Sequence, residues 1–367
     1  MVKNNNRKRV LILGGYSVLG THIARLLSAD PNLQLTIAGR DKLRAEFCAS
    51  KLPGPAESLH LDWDATDLPA QLKALSPDLL IHCAGPFCSE PDYQVARACI
   101  ESRTPYLDIA NARRFVCDFR RLSAEANAAD IPMISGAGLC PALSSAVLKE
   151  IRRELPLIHT VNIAVAPAND NELAPAAPIG EPFPQLQDGL WRETFTGNRL
   201  RRISLAHPVG KRWLFDADVP DLELCVQWIP ALRSVRFATG VESRITQIGS
   251  TLCAHLMQMN FPTPGRSLSL NLARYRARTN GHSGILIRAE GKDTRDAPAG
   301  IQWQMLGLNG QGPWMAAAPA AVMARKLLYK GSEFIGASAC WQLLDLEEIL
   351  AELTPYPIVT ATERLEL

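Results

Sequence analysis

The stretch Val10-Leu-Ile-Leu-Gly14-Gly15-Tyr16-Ser17-Val18-Leu19-Gly20 constrains this chain more than any other. Four apolar residues run into a glycine-rich turn. A helical pattern begins at once, with Leu19, Ile23, Leu26 and Leu27 at helical spacing. An unbroken apolar run marks a strand buried on both faces of a parallel sheet, so this strand feeds a helix N-terminus. Helix N-termini present free N–H groups and the positive end of a dipole, and both favour phosphate. Glycine lets the turn approach a pyrophosphate closely. The segment therefore predicts a dinucleotide site formed by Gly14, Gly15, Tyr16, Ser17, Val18, Leu19 and Gly20. A strand–helix turn with no ligand is the alternative. In either register of the glycine fingerprint, Gly15-Ser17-Gly20 or Gly14-Ser17-Gly20, Ser17 stands at the middle glycine. Its side chain is small and offers a hydroxyl to a phosphate.

Leu33–Arg40 alternates and predicts the second strand of a βαβ unit. An NAD site usually carries an acid at the end of that strand, bonded to the ribose 2′-OH. Here the position reads Gly39-Arg40, with Lys42 and Arg44 just beyond. An acid would repel a 2′-phosphate, whereas arginine pairs with one bidentately. This predicts NADP, with NAD as the alternative cofactor and a solvated Arg40 as the competing explanation.

A third strand at Ser58–Leu61 ends in Asp62-Trp63-Asp64. This acidic turn, with Asp62, is expected to meet the adenine end of the cofactor, or else Asp64 or Thr66 simply caps a helix. A fourth buried strand is expected in Asp78–Phe87, breaking at Gly85-Pro86. Ligands of open α/β sheets sit at the carboxyl ends of strands, so Cys83, Ala84, Gly85 and Pro86 are expected at the cofactor. Pro105–Ile109 and Ile131–Ile134 are the fifth and sixth strands. Strands alternating with helices predict a doubly wound α/β sheet.

The grammar then changes. Ala166–Pro184 carries five prolines and is expected to be a loop. Strand-like pieces follow at 191–196, 211–215, 234–238, 284–290 and 301–308, and a helix is expected over Ile245–Met259. This predicts a second, mixed or antiparallel domain that supplies the substrate side. Residues 1–140 and 312–367 are assigned to the first domain, which is thereby discontinuous, and 141–311 to the second. A helix is expected at Ala320–Lys330 with Pro319 at its start, and another up to Leu353.

With 367 residues, 47% of them hydrophobic, the chain can bury two cores. Its net charge of +2 carries no bulk field for nucleic acid. No apolar run reaches the roughly 18 residues of a membrane span. Nine cysteines, an odd number with no C-x-x-C, argue for reduced thiols in a cytoplasm. Neither they nor the seven histidines show metal-ligand spacing, so no metal is expected.

The chain resembles the saccharopine dehydrogenase-like family. Four stretches carry the resemblance: Gly14–Gly20, Cys83-Ala-Gly-Pro-Phe87, Tyr106-Leu-Asp108 and Gly138-Leu-Cys-Pro141. It implies a Rossmann domain with an inserted mixed-sheet (α+β) domain, NADP(H), a small-molecule substrate and a homodimer. Family members acting on amino acids tend to read Gly-Leu-Asp-Pro-Gly where this chain reads Gly138-Leu-Cys140-Pro-Ala142.

The expected function is an NADP-dependent oxidoreductase moving hydride between the cofactor and a small imine, secondary amine or carbonyl. A catalytically silent NADP(H)-binding sensor or scaffold is the alternative. Asp108 is the first proton-transfer candidate, or else it caps the following turn through Asn111. Tyr106 and Cys140 come next, with packing as the competing role. His82, inside an apolar strand, is expected to be a satisfied core histidine.

Overall fold

The computed structural model describes residues 7–85, 87, 92–168, 178–240 and 281–366. The chain divides into two compact units. The first is Met1–Leu143 with Ala316–Glu352, and the second is Ser144–Met315 with Leu353–Leu367.

The first unit alternates strands and helices. They are β1 (Lys8–Leu13), α1 (Val18–Ser28), β2 (Leu33–Gly39), α2 (Lys42–Ser50), β3 (Ala56–His60), α3 (Leu68–Leu75), β4 (Leu79–His82), α4 (Gln94–Ser102), β5 (Tyr106–Asp108), α5 (Arg113–Cys117), α6 (Ser123–Ala129) and β6 (Pro132–Ser135). The second unit contributes α7 (Ser144–Glu154), β7 (Leu157–Ala166), β8 (Pro182–Gln187), β9 (Leu190–Phe195), β10 (Arg201–Ser204), β11 (Lys211–Asp216), α8 (Asp221–Trp228), β12 (Ser234–Thr239), β13 (Ser283–Lys292) and β14 (Pro298–Gly307). The chain closes with α9 (Gly312–Lys330), β15 (Gly336–Ala339), α10 (Leu346–Leu353) and β16 (Ile358–Leu365).

The first sheet is parallel throughout, in the order β15-β6-β5-β4-β1-β2-β3. Val10, Leu11, Ile12 and Leu13 are at most 3% exposed, as a strand covered on both faces requires. The chain winds from β1 out to β3, then returns to place β4 on the other side of β1. That reversal is a topological switch point, where such sheets open a crevice at their carboxyl ends. The registers bring Leu13, His82 and Asp108 side by side at this end.

The second unit holds a mixed sheet, β10-β11-β12-β7-β13-β14-β16, in which only β12 and β7 run parallel. The hairpin β8–β9 stands as its own two-stranded sheet.

Several expectations are corrected. Leu353–Leu367 belongs to the second unit, because β16 pairs along β14. The unit boundaries fall after Leu143 and Met315 instead of at 140 and 311. The proline-rich loop ends earlier than expected, since β8 begins at Pro182. Pro182 and Pro184 occupy alternate positions, so their missing donors face away from β9. Asp188 and Gly189 both have positive φ, +53° and +83°, and close the hairpin as a two-residue turn. Pro319 does not start its helix; it lies inside α9, whose Pro313 sits in the first turn instead. Burial of Met315 through Ala318 and of Ala320 through Ala324 offsets the backbone bond that Pro319 loses. A seventh parallel strand, β15, was not expected, because Gly-Ala-Ser-Ala carries no strand pattern.

The helix expected over Ile245–Met259, and Pro86, lie outside the described residues. Among the described residues, no helix is long and apolar enough to cross a membrane, and no group of three His, Cys, Asp or Glu could hold a metal.

Candidate functional site: the carboxyl ends of β1, β4 and β5

The glycine loop is built by close approach. Gly14 has φ +76°, and a Cβ there would lie 2.7 Å from the Ala84 amide nitrogen. The ends of β1 and β4 therefore touch across the switch point. A Cβ on Gly20 would lie 2.5 Å from the Gly14 carbonyl oxygen. Only hydrogen fits at either place.

Ser17 is the N-cap of α1, and its Oγ accepts the Gly20 amide at 3.1 Å. The same hydroxyl donates to the Cys83 carbonyl at 3.4 Å. Its hydroxyl is thus engaged by the protein, which accounts for serine at the middle glycine. The first intrahelical bond runs from the Thr21 amide to the Ser17 carbonyl. The amides of Val18 and Leu19 precede it, in the turn where N–H groups have no helical partner. Ser17→Ala is expected to lower stability by about 1 kcal/mol through the lost cap. Thermal melting checks this, and an unchanged Tm would separate Ser17 from helix capping.

At the end of β2 the Tyr16 ring lies on Gly39, where a Cβ would meet the ring at 2.5 Å. The Tyr16 hydroxyl accepts the Asp41 amide at 3.2 Å. Two cations border this corner. The Arg44 guanidinium lies 4.8 Å from the Tyr16 ring centroid, and that of Arg40 lies 6.0 Å from the Trp63 ring. Arg40 itself is exposed. Asp62 Oδ1 accepts the Asp64 amide at 3.1 Å and so shapes the turn after β3. The Tyr16–Arg44 pair was not anticipated; an aromatic inside a glycine loop was the available signal.

The proton-transfer candidates are all buried: Asp108 and Tyr106 at 0% exposure, Cys140 at 2%. Asp108 Oδ1 accepts the Ala110 amide (2.9 Å), the Ser135 hydroxyl (2.9 Å) and the Gly136 amide (2.8 Å). It ties the end of β5 to the end of β6, and through Ala110 it holds the following turn. Burial pushes Asp108 up to about 6, against the pull of these bonds.

His82 was expected as a core histidine, and both its nitrogens are engaged. Nε2 lies 3.0 Å from the Ala84 carbonyl oxygen, and Nδ1 lies 3.0 Å from the Tyr106 hydroxyl. Burial lowers its pKa to about 4, so the ring is neutral at pH 7. A neutral imidazole carries one N–H. A carbonyl can only accept, so that proton is on Nε2, and Nδ1 accepts from Tyr106. The Tyr106 hydroxyl thus sits between His82 Nδ1 and the Asp108 carboxyl, whose affinity for its proton it lowers. Behind this ladder, His82, Phe87, Phe115, Phe119 and Tyr106 form a continuous ring cluster, with neighbouring centroids 5.0–6.3 Å apart. Cys83 is core: burial raises its thiol, and only its carbonyl reaches the loop.

Residues 10–134 match the model of the saccharopine dehydrogenase NADP binding domain family. The whole fold is similar to apo saccharopine dehydrogenase (L-Glu forming) from Saccharomyces cerevisiae. That likeness has a TM-score of 0.71 at 14% identity and covers 98% of this chain and 100% of the other. A myo-inositol dehydrogenase from Corynebacterium glutamicum is similar over 98% of this chain and 99% of its own, at 11% identity and a TM-score of 0.45. No curated protein sequence matches the chain.

Proposed function

We propose, from the premise that residues 10–134 form a saccharopine dehydrogenase NADP binding domain, that the protein is an NADP-dependent oxidoreductase acting on a small imine, secondary amine or carbonyl compound. The observation that carries this reading is the cradle at the switch point. Two glycines there leave no room for a Cβ, beside the N-terminus of α1. These features fit a pyrophosphate. The amides of Val18 and Leu19 bind its oxygens, and Arg40 pairs with the 2′-phosphate. When bound, the cofactor supplies or accepts the hydride. Ala84 and Gly85 flank its reactive end, and His82 fixes the Ala84 carbonyl there. Asp108 and Tyr106 act in this reading as positioning groups, because both are enclosed. The second unit binds the substrate. The reading includes a homodimer and a reducing cytoplasm; the latter is supported by the burial of the seven described cysteines, which suits thiols used as small core residues.

Arg40→Ala is expected to weaken NADPH binding by roughly 10- to 100-fold, the worth of a charged hydrogen-bonded pair, and NADH binding by less than about twofold. Paired fluorescence titrations read both. Equal losses would mean that Arg40 does not contact the 2′-phosphate.

One observation favours the second reading, a sensor or scaffold that binds NADP(H) without turnover: Asp108, Tyr106 and Cys140 are all enclosed. NADPH binding without oxidation across a panel of imines and carbonyls would select it.

A further inference from the structure

We propose that the groove between α1 and α2 binds a small amphipathic organic anion, an aryl or short acyl chain bearing a carboxylate, sulfonate or phosphate. The groove encloses about 460 Å³, within the roughly 300–1,000 Å³ range of small-molecule sites. Its lining is of two kinds. Leu43 and Phe47, one turn apart on α2, are 77% and 67% exposed. Arg25 from α1, with Arg44 and Lys51, adds three cations, and no carboxylate lines the groove among the described residues. Two of these charges already sit over rings. Lys51 Nζ lies 5.4 Å from the Phe47 centroid, and Arg44 lies over Tyr16.

This pairing selects the guest. A neutral apolar molecule would cover three cations with no counter-charge, which is costly. An inorganic anion would leave Leu43 and Phe47 in water, with no apolar area buried. An amphipathic anion covers the apolar pair and neutralises the cations together.

The floor of the groove belongs to the glycine loop. Thr21 Oγ1 and Cys48 Sγ both donate to the Gly15 carbonyl, at 3.3 and 3.4 Å. The guest therefore borders the dinucleotide loop without occupying the amides of α1. The inference stands apart from the proposed function, since the groove would bind such an anion whatever the loop holds.

The probe is 8-anilinonaphthalene-1-sulfonate, titrated against the full chain by fluorescence with and without saturating NADPH. Saturable one-to-one binding that persists under NADPH is expected. Phe47→Ser and Arg25→Glu should each weaken it by about tenfold or more. Both side chains are exposed, so Tm and NADPH affinity should stay near wild type. Octanoate should displace the dye, and inorganic phosphate should not. Displacement by NADPH, or unchanged dye affinity in both variants, would overturn the proposal. Displacement by phosphate alone would overturn its amphipathic character. A wild-type protein that binds the dye in the groove but no NADPH would sink the oxidoreductase reading and leave this one standing.

Discussion

Replacing Gly20 with valine is expected to weaken NADPH binding by about 100-fold or more, with the fold intact. A Cβ at residue 20 would lie 2.5 Å from the Gly14 oxygen, 2.9 Å from Gly15 Cα and 2.9 Å from Ser17 Oγ. Two of these atoms are loop backbone, and the third is the cap that holds the loop on α1. The two backbone atoms cannot yield by a rotamer change, and Ser17 Oγ can do so only by giving up the cap. The loop must move, and with it the amides that face the phosphates. Losing two charge-assisted hydrogen bonds, about 1.5–3 kcal/mol each, accounts for the expected factor. The overpacking itself costs roughly 1–3 kcal/mol. That is a fall of a few degrees in Tm for a chain of this size. Titration and thermal melting of the same samples separate the two effects. Gly20→Ala should fall between wild type and valine. Full NADPH affinity in the valine variant would remove this loop from the cofactor site.

The second large effect concerns pH and the neighbours Asp108 and His82. Burial raises the Asp108 carboxyl to about 6 and lowers the His82 imidazole to about 4. In the unfolded chain they titrate near about 3.9 and 6.5. The fold thus favours the neutral form of each. For Asp108 the folded value is raised, so its stabilisation is present below about pH 4 and lost as pH rises through 6. For His82 the folded value is depressed, so its stabilisation is present above about pH 6.5 and lost as pH falls towards 4. Each shift corresponds to about 3 kcal/mol. Between about pH 4 and 6.5 the two slopes oppose, and the wild type should show little pH dependence from this pair.

Single substitutions unmask the halves. Asp108→Asn keeps an acceptor for Ala110, Ser135 and Gly136 and leaves the His82 slope, so stability should fall by about 3 kcal/mol on acidification across this window. His82→Gln leaves the Asp108 slope, and stability should fall by about as much on going the other way. Denaturant melts of both variants across the window decide the matter. Parallel pH profiles in the two variants would mean that the pair does not titrate as the geometry requires.

The strand-and-turn grammar of the first unit was legible because parallel strands covered on both faces are nearly pure apolar runs, as in Val10–Leu13 and Leu79–Ile81. Glycine positions were legible for a related reason: a missing side chain is itself the signal. Strand β15 was not legible, since its place depends on pairing with β6 and not on its own small residues. Nor was the allegiance of Leu353–Leu367, which is decided by an edge of β14 some fifty residues earlier. In the site, Ser17 was visible as a departure, but its bond to the Cys83 carbonyl links residues far apart in sequence and needs the fold. The place of Asp108 was legible, as a charged residue ending a buried strand. Its three donors come from two different strand ends, so its tethering role could not be read locally.

The way the chain alternates between units has a consequence for its synthesis. The first unit lacks β15 until residue 339 has been made, and the second lacks β16 until residue 365. A growing chain therefore carries β6 with a bare, hydrogen-bond-hungry edge from residue 135 until 339, and β14 with one from residue 307 until 365. Unpaired edges are templates for wrong partners. The window for misassembly is thus set for β6 by the time taken to translate about two hundred residues and for β14 by about sixty, and it closes for both units within one short stretch of messenger.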